Sequence, residues 1–225
     1  MGGTITALIV QKRNKERVNV YLDGKFAFGL ALSEAVRLRK GQHLSDEEIA
    51  QLRALDEIEM AREHALRFLS YRPRSAAEVR RSLRQSKRGF SEETIETVVA
   101  RLERAGLIDD EAFARFWVEN RARFGPRSTQ ALRYELRRKG VPDAVITAAL
   151  AAVDEETAAY EAARQRAPRY AKADRETFRR YMGGYLARRG FSVHLIRDVL
   201  NRLWAELNEP PDTTGDSNRD LEGEA

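Results

Sequence analysis

The chain has 225 residues, 42% of them apolar and 33% charged, with a net charge of +5, three histidines and no cysteine. Without cysteine it can build no disulfide framework, thiolate zinc site or thiol nucleophile, which suits a reducing cytosol. No run approaches the ~18 apolar residues of a membrane span, and the opening MGGTITALIV lacks the basic region of a secretory signal.

Residues 4–10 (TITALIV) and 17–22 (RVNVYL) are rich in β-branched side chains, and Asp23-Gly24 supplies a hairpin turn before Lys25 to Leu30. This predicts a two- or three-stranded ribbon, which needs a helix against one face. Its partner is a short helix after Ser33 or the long one that Ser45 opens. Ser45-Asp-Glu-Glu48 is a capping box, and Ile49, Leu52, Leu55, Ile58, Ala61, Ala65 and Leu69 then keep helical spacing to Tyr71. This stretch either runs unbroken for roughly 25 residues, about 38 Å, or ends near Asp56.

A second capping box, Ser75-Ala-Ala-Glu78, opens a helix that turns Val79 and Leu83 inward among arginines. Gly89 closes it, Phe90 turns back onto the core, and Ile95, Val98, Val99 and Leu102 line the next helix, which stops at Gly106. Asp109, Asp110 and Glu111 suit the positive end of a helix dipole. Phe113, Trp117, Asn120 and Phe124 follow on one face, where periodic aromatics predict a core. On that reading Trp117→Ala opens a cavity costing ~3–5 kcal/mol. Gly125-Pro126 ends this helix, the next carries Leu132 and Leu136, and Pro142 suits the first turn of the one after it. Beyond, an alanine-rich helix around Tyr160 and Ala163 is interrupted by Pro168, and a basic helix runs from about Arg175 to Arg189. Gly183-Gly184 inside that helix predicts a close backbone approach, or failing that a kink. Ile196, Leu200, Leu203 and Trp204 close the last core, and the fold is expected to end near Leu207.

One pattern recurs three times. A basic helix ends at a glycine, an apolar residue follows, and aliphatic residues stand six and ten positions beyond the glycine: Gly89, Ile95, Val99; Gly140, Ile146, Leu150; Gly190, Ile196, Leu200. The glycines lie 51 and 50 residues apart, with Phe90, Val141 and Phe191 in the slot after each. Such a period marks tandem supersecondary units that share cores with their neighbours. The expected organisation is a mainly α chain: an N-terminal β-ribbon and helix over 1–57, three-helix modules over 58–108, 109–153 and 154–207, and an acidic tail over 208–225 outside the folded body.

The middle helices of the modules carry the charge. Arg72, Arg74, Arg80, Arg81, Arg84, Lys87 and Arg88 stand against Glu78 alone between residues 72 and 88. Between residues 121 and 139, Arg121, Arg123, Arg127, Arg133, Arg137, Arg138 and Lys139 stand against Glu135 alone. In the third run, from residue 175 to 189, Arg175, Arg179, Arg180, Arg188 and Arg189 stand against Glu176. The last 18 residues hold six acids against Arg219, so the preceding residues carry +10. Arginine's planar fork grips phosphate or carboxylate with two bonds, so a polyanionic partner lying along these helices is the functional expectation. Solvated faces with local ion pairs are the competing expectation.

Little else suggests chemistry. His43, His64 and His194 have no second metal ligand at helical spacing, and His64 and His194 read as helix-surface residues. Gly24 to Gly29 is no phosphate loop, because Leu30 and Ala31 stand where lysine and serine or threonine are needed. A phosphoryl-transfer enzyme would need metal-dependent turnover; acid pairs such as Asp109 and Asp110 stand at helix starts, where capping explains them without catalysis, and sequence alone leaves a spatial pair of carboxylates open. The glycine turns resemble a helix-turn-helix, but Glu92, Glu93, Pro142 and Asp143 occupy the positions that would meet bases, which disfavours sequence-specific reading.

The chain resembles the RecX regulatory family, bacterial modulators of the RecA recombinase. The resemblance covers roughly Ala61 to Leu207 and rests on Leu69-Ser-Tyr-Arg-Pro-Arg-Ser75, Glu78-Val-Arg-Arg-Ser-Leu83, Gly106-Leu-Ile-Asp-Asp-Glu111, Phe113-Ala-Arg115 with Trp117-Val118, Glu135-Leu-Arg-Arg-Lys-Gly140 and Leu186-Ala-Arg-Arg-Gly-Phe191. The ribbon with Tyr21-Leu-Asp-Gly24 resembles an extension found in part of that family. The resemblance implies three tandem three-helix modules in an elongated, curved array that lies in the groove of a RecA filament on DNA. It also implies restraint of recombinase, ATPase and coprotease activity without a catalytic centre or cofactor. Implied partners are the RecA filament and single- and double-stranded DNA, with no membrane, no small-molecule substrate and a cytoplasmic location. The alternative is a sequence-independent DNA-binding protein that acts through phosphate contacts.

Overall fold

A computed structural model describes residues 2–170 and 172–208; the expected acidic tail lies, apart from Asn208, outside the described residues. The elements run β1 (Gly3–Val10), β2 (Arg17–Leu22), β3 (Lys25–Ala31), α1 (Leu32–Ala35), β4 (His43–Leu44), α2 (Asp46–Leu69), α3 (Ala76–Arg84), α4 (Glu92–Arg104), α5 (Asp110–Phe124), α6 (Thr129–Arg138), α7 (Asp143–Leu150), α8 (Glu155–Arg166), a 3-10 turn (Ala167–Tyr170), α9 (Arg175–Ala187) and α10 (Val193–Asn208). Two compact units result, one formed by residues up to Arg115 together with Leu136–Ile146, the other by Phe116–Glu135 together with the residues from Thr147 on. The fold is mainly α with a small antiparallel sheet at the N-terminus.

The expected ribbon is a four-stranded sheet in the order β3-β2-β1-β4. Asp23 and Gly24, with φ of +48° and +81°, form the two-residue turn that joins β2 to β3, the turn whose twist matches a hairpin. The fourth strand was not foreseen, because two residues, His43 and Leu44, show no alternation to read; they pair with Thr4 and Gly3. One face buries Ile5, Val18, Val20, Phe28 and Leu30, covered by Ala35 of α1 and by Ile49 and Leu52 of α2. Both helices proposed as the sheet's partner therefore serve.

Helix α2 does not break at Asp56. That carboxylate is buried and receives Arg17 Nη2 from β2 at 2.7 Å, so a charge that reads as a breaker in sequence pins the helix to the sheet. Past this point the same helix turns Ala61 and Ala65, both fully buried, into a second core with Val79, Leu83, Phe90, Ile95 and Leu102. Both predicted capping boxes form, at Ser45 with Glu48 and at Ser75 with Glu78.

The recurring glycines take positive φ, from +66° to +90° at Gly89, Gly140 and Gly190. Two of them also answer to their surroundings. Within the first unit a Cβ on Gly140 would overlap that of Ala77. Beside it the Ser75 hydroxyl donates to the Lys139 carbonyl at 2.5 Å, and the Ala76 N–H donates to Asp110 Oδ1 at 2.9 Å. Within the second unit a Cβ on Gly190 would stand 2.5 Å from Ser128 Oγ, and the Ser128 N–H donates to the Arg189 carbonyl at 3.1 Å. Each joint thus seats the glycine turn of one basic helix on the serine at the start of the preceding one. A Cβ on Gly89 would meet no described residue within 4 Å, as expected where no earlier three-helix module precedes.

Three expectations need correction. Phe124 is 72% exposed and Trp117 only half-buried, because the aromatic face of α5 leaves its core after Phe113; a Trp117→Ala cavity of core size is therefore not expected. Helix α9 runs on through its glycines and needs no close approach there, since a methyl at Gly183 would lie at ordinary distance, 3.8 Å, from Ile196. Gly183→Ala is accordingly expected to stabilise the protein by about 0.5–1 kcal/mol, read as a higher urea midpoint. His64 is half-buried rather than superficial, with Nε2 3.1 Å from Ser82 Oγ.

Candidate partner-binding surface

Aligning the three basic helices on their fully buried leucines, Leu83, Leu136 and Leu186, sorts their charges. Four residues earlier stand Val79, Leu132 and Met182, all buried. The position after those holds Arg80, Arg133 and Gly183; the position after the leucines holds Arg84, Arg137 and Ala187. Where arginine is present it reaches across to the following helix. Arg80 Nε meets both Glu96 oxygens at 3.0 Å, and Arg84 grips Glu92 through two bonds of 2.7 Å. Arg133 Nη1 donates to Thr147 Oγ1 at 3.1 Å, and Arg137 Nε to Asp143 at 2.7 Å. In the third helix both arginines are gone, and the matching positions of α10 are Val193 and Arg197 instead of an acid or hydroxyl. The repeated arginines are therefore braces between two helices of one module, with Arg80, Arg84 and Arg137 turned to carboxylates the protein itself supplies and Arg133 to a hydroxyl.

The solitary acids of the first two runs are gathering points. Glu78 takes Arg72 Nη2 at 2.9 Å and Lys139 Nζ at 3.3 Å. Burial pushes the pKa of this carboxylate up, but the bonds from Arg72 and the charge of Lys139 outweigh it, so its pKa is lowered. A carboxylate lowered in the folded state contributes stability that is present above its unfolded pKa and is lost as pH falls through the folded value. Glu78→Gln is thus expected to flatten the loss of stability below about pH 5, measured as urea midpoints from pH 6 downward. Glu135 accepts from Trp117 Nε1 and Arg121 Nε at 2.8 Å each and pairs with Arg127 Nε at 2.9 Å.

Other predicted residues are also used internally. Arg74 is half-buried with its guanidinium 3.9 Å from the Phe68 ring centre. Arg189 donates to the Pro126 carbonyl at 2.8 Å and lies over Tyr185. What remains exposed is a smaller set: Arg81, Lys87 and Arg88 on and after α3, Arg138 at the end of α6, and Arg179, Arg180 and Arg188 on and after α9. Among the described residues none of Arg81, Lys87, Arg88, Arg179, Arg180 and Arg188 is ion-paired to a carboxylate. Lys87, Arg138 and Arg188 each stand two residues before a recurring glycine, so one exposed cation repeats with the modules. Arg81 borders a shallow hollow with His64, Phe68, Ser82 and Gln85. Among the described residues no cluster of three metal-binding side chains occurs, and no helix is long and apolar enough to cross a membrane.

These features have counterparts in known proteins. Residues 3–45 match the N-terminal domain of regulatory protein RecX, and residues 61–102, 109–150 and 154–200 match the first, second and third RecX three-helix domains. The regulatory protein RecX of Bacillus subtilis is 32% identical over 211 residues, spanning 91% of this chain and 79% of the relative. That of Prosthecochloris aestuarii is 40% identical over 139 residues, 62% of this chain and 90% of the relative. A crystal structure of regulatory protein RecX superimposes with a TM-score of 0.66 at 28% identity, covering 88% of this chain and 99% of that one. The RecX of Lactobacillus salivarius, at 24% identity and a TM-score of 0.55, shares the fold. With four domains matched in order, and with relatives of this identity covering most of its length, the chain belongs to the RecX family of regulatory proteins.

Proposed function

We propose that this protein binds RecA recombinase filaments on DNA and restrains their recombinase, ATPase and coprotease activities without catalysing a reaction itself, acting in the cytoplasm. The observation that carries the reading is the set of exposed cations without a carboxylate partner among the described residues, Arg81, Lys87, Arg88, Arg179, Arg180 and Arg188, in a chain of the RecX family. Modules over 58–108, 109–153 and 154–207 would each present an exposed cation, Lys87, Arg138 and Arg188, to a repeating partner, and weak contacts to successive protomers add through effective concentration. All the basic residues of the three runs except Arg121, Arg123 and Arg175 were expected at this surface; the reading now gives contact to the exposed ones and assigns the braces, Arg80, Arg84, Arg133 and Arg137, to folding. Pelleting a preformed recombinase filament on single-stranded DNA with the purified protein tests it. Cosedimentation above a DNA-only control is expected, and none above it would defeat the proposal.

A second reading is favoured by the same unpaired cations: direct, sequence-independent contact with phosphates. On that reading binding to bare DNA falls steeply with salt and is lost when Arg81, Lys87 and Arg88 become glutamate. Unchanged affinity would remove it.

A further inference from the structure

Two consecutive glycines inside a 13-residue helix weaken it relative to alanine, and the packing of α9 requires neither. Gly184 is bordered only by Arg188, whose Nη1 would lie 3.4 Å from an added Cβ. One turn before it stand Arg180 and Tyr181, and one turn after it Arg188, so a glycine floor lies between two cations and an aromatic ring. Tyr181 is 49% exposed and stacks on Tyr170 with the rings 11° from parallel and 5.5 Å apart. The Arg180 guanidinium lies 5.0 Å from the Tyr181 ring centre.

Most acids of this module near α9 are already engaged. Glu161 is taken by Arg164, Glu206 by Arg202 and Tyr160, and Asp174 caps α9 through Thr177. Glu176, one turn before Arg180, is exposed and makes no ion pair among the described residues. Neither Arg180 nor Arg188 has a carboxylate partner there. The face therefore offers positive charge, a held aromatic plane and, at half-buried Gly184, a position without a side chain of its own, where a ligand could approach more closely once Arg188 turns to it. An acidic peptide would use the arginines alone. A strand with unpaired bases uses all three, stacking a base on the tyrosine and placing its phosphates on the cations.

We propose that the exposed face of α9 around Gly184 is a subsite for single-stranded nucleic acid, with Tyr181 as the stacking platform, Tyr170 holding that ring, and Arg180 and Arg188 as phosphate contacts. The test uses the full chain without recombinase and fluorescence anisotropy of a labelled oligothymidylate of about 16 nucleotides, beside a matched duplex. Tyr181→Ala is expected to weaken oligothymidylate binding about 5- to 100-fold while leaving the duplex unchanged, and Tyr181→Phe to retain binding. Replacing Arg180 and Arg188 with alanine should lower the slope of log affinity against log salt by about 1.4. Gly184→Ala, which favours the helix, should raise the melting temperature yet weaken binding. Equal losses on strand and duplex, no loss with Tyr181→Ala, or undiminished binding by Gly184→Ala would each overturn the proposal. So would a Tyr181→Ala protein that no longer pellets with filaments but binds the oligonucleotide normally, since the face would then meet protein. A failure on the oligonucleotide alone leaves the filament reading standing.

Discussion

Gly140→Ala should destabilise the protein by about 2–5 kcal/mol, the sum of two separable effects. A left-handed residue with a side chain costs about 1–2 kcal/mol, and Gly140 has φ of +76°. The new methyl also overlaps the Cβ of Ala77 at the start of α3, and overpacking of this kind costs about 1–3 kcal/mol. That crowding would spread to the bonds Ser75 and Ala76 make to Lys139 and Asp110. Gly89→Ala is the internal control: its φ of +66° brings the strain, but no described residue stands within 4 Å of the added methyl. The expected order of urea midpoints is parent, then Gly89→Ala, then Gly140→Ala. Adding Ala77→Gly should recover part of the loss at Gly140 and nothing at Gly89. Equal losses at the two glycines would mean that the joint contributes nothing beyond backbone strain.

The second large effect is expected at Glu135. Its carboxylate, 17% exposed, holds the Trp117 indole and pairs with Arg121 and Arg127. Glu135→Ala strands two guanidinium groups and a buried-side N–H at once, which costs more than the pair itself contributes. Because Arg121 and Arg127 keep about a third of their exposure, water recovers some of that penalty, and about 2–4 kcal/mol is expected rather than the full cost of breaking a buried pair. Glu135→Gln, which keeps an acceptor for Trp117, should lose about half as much. Glu111→Ala, in a pair with Arg115 in which both side chains are mostly exposed, should change stability by less than about 0.5 kcal/mol. Chemical denaturation of the three variants, with Trp fluorescence as the reporter, gives the comparison; a Glu135→Ala protein as stable as Glu111→Ala would show that the cluster is surface decoration.

Features written in contiguous residues were legible. The capping boxes at Ser45 and Ser75, the Asp23-Gly24 turn and the three glycines follow from local rules of backbone and side-chain bonding, so their neighbours in sequence suffice to read them. What could not be read depends on partners far along the chain. Asp56 looks like a helix breaker until Arg17, 39 residues earlier, is placed beside it. Arg80 and Arg84 look like free cations until α4 folds back and presents Glu96 and Glu92. A signal for the braces was present all the same: arginine in the middle helix and an acid or hydroxyl three or seven residues past the glycine come and go together across the three repeats. The fourth strand left no such trace, since two residues carry no period.

The division of the basic residues into braces and contacts is tested most directly by filament pelleting with two variants of the full chain. Replacing Arg81, Lys87 and Arg88 with alanine should sharply reduce cosedimentation with recombinase filaments while leaving the melting temperature of the protein unchanged. Replacing Arg80 and Arg84 should lower the melting temperature and, at a temperature where the variant is folded, leave cosedimentation intact. The reverse pattern, with binding lost through Arg80 and Arg84 in a fully stable protein and retained without Arg81, Lys87 and Arg88, would contradict the account.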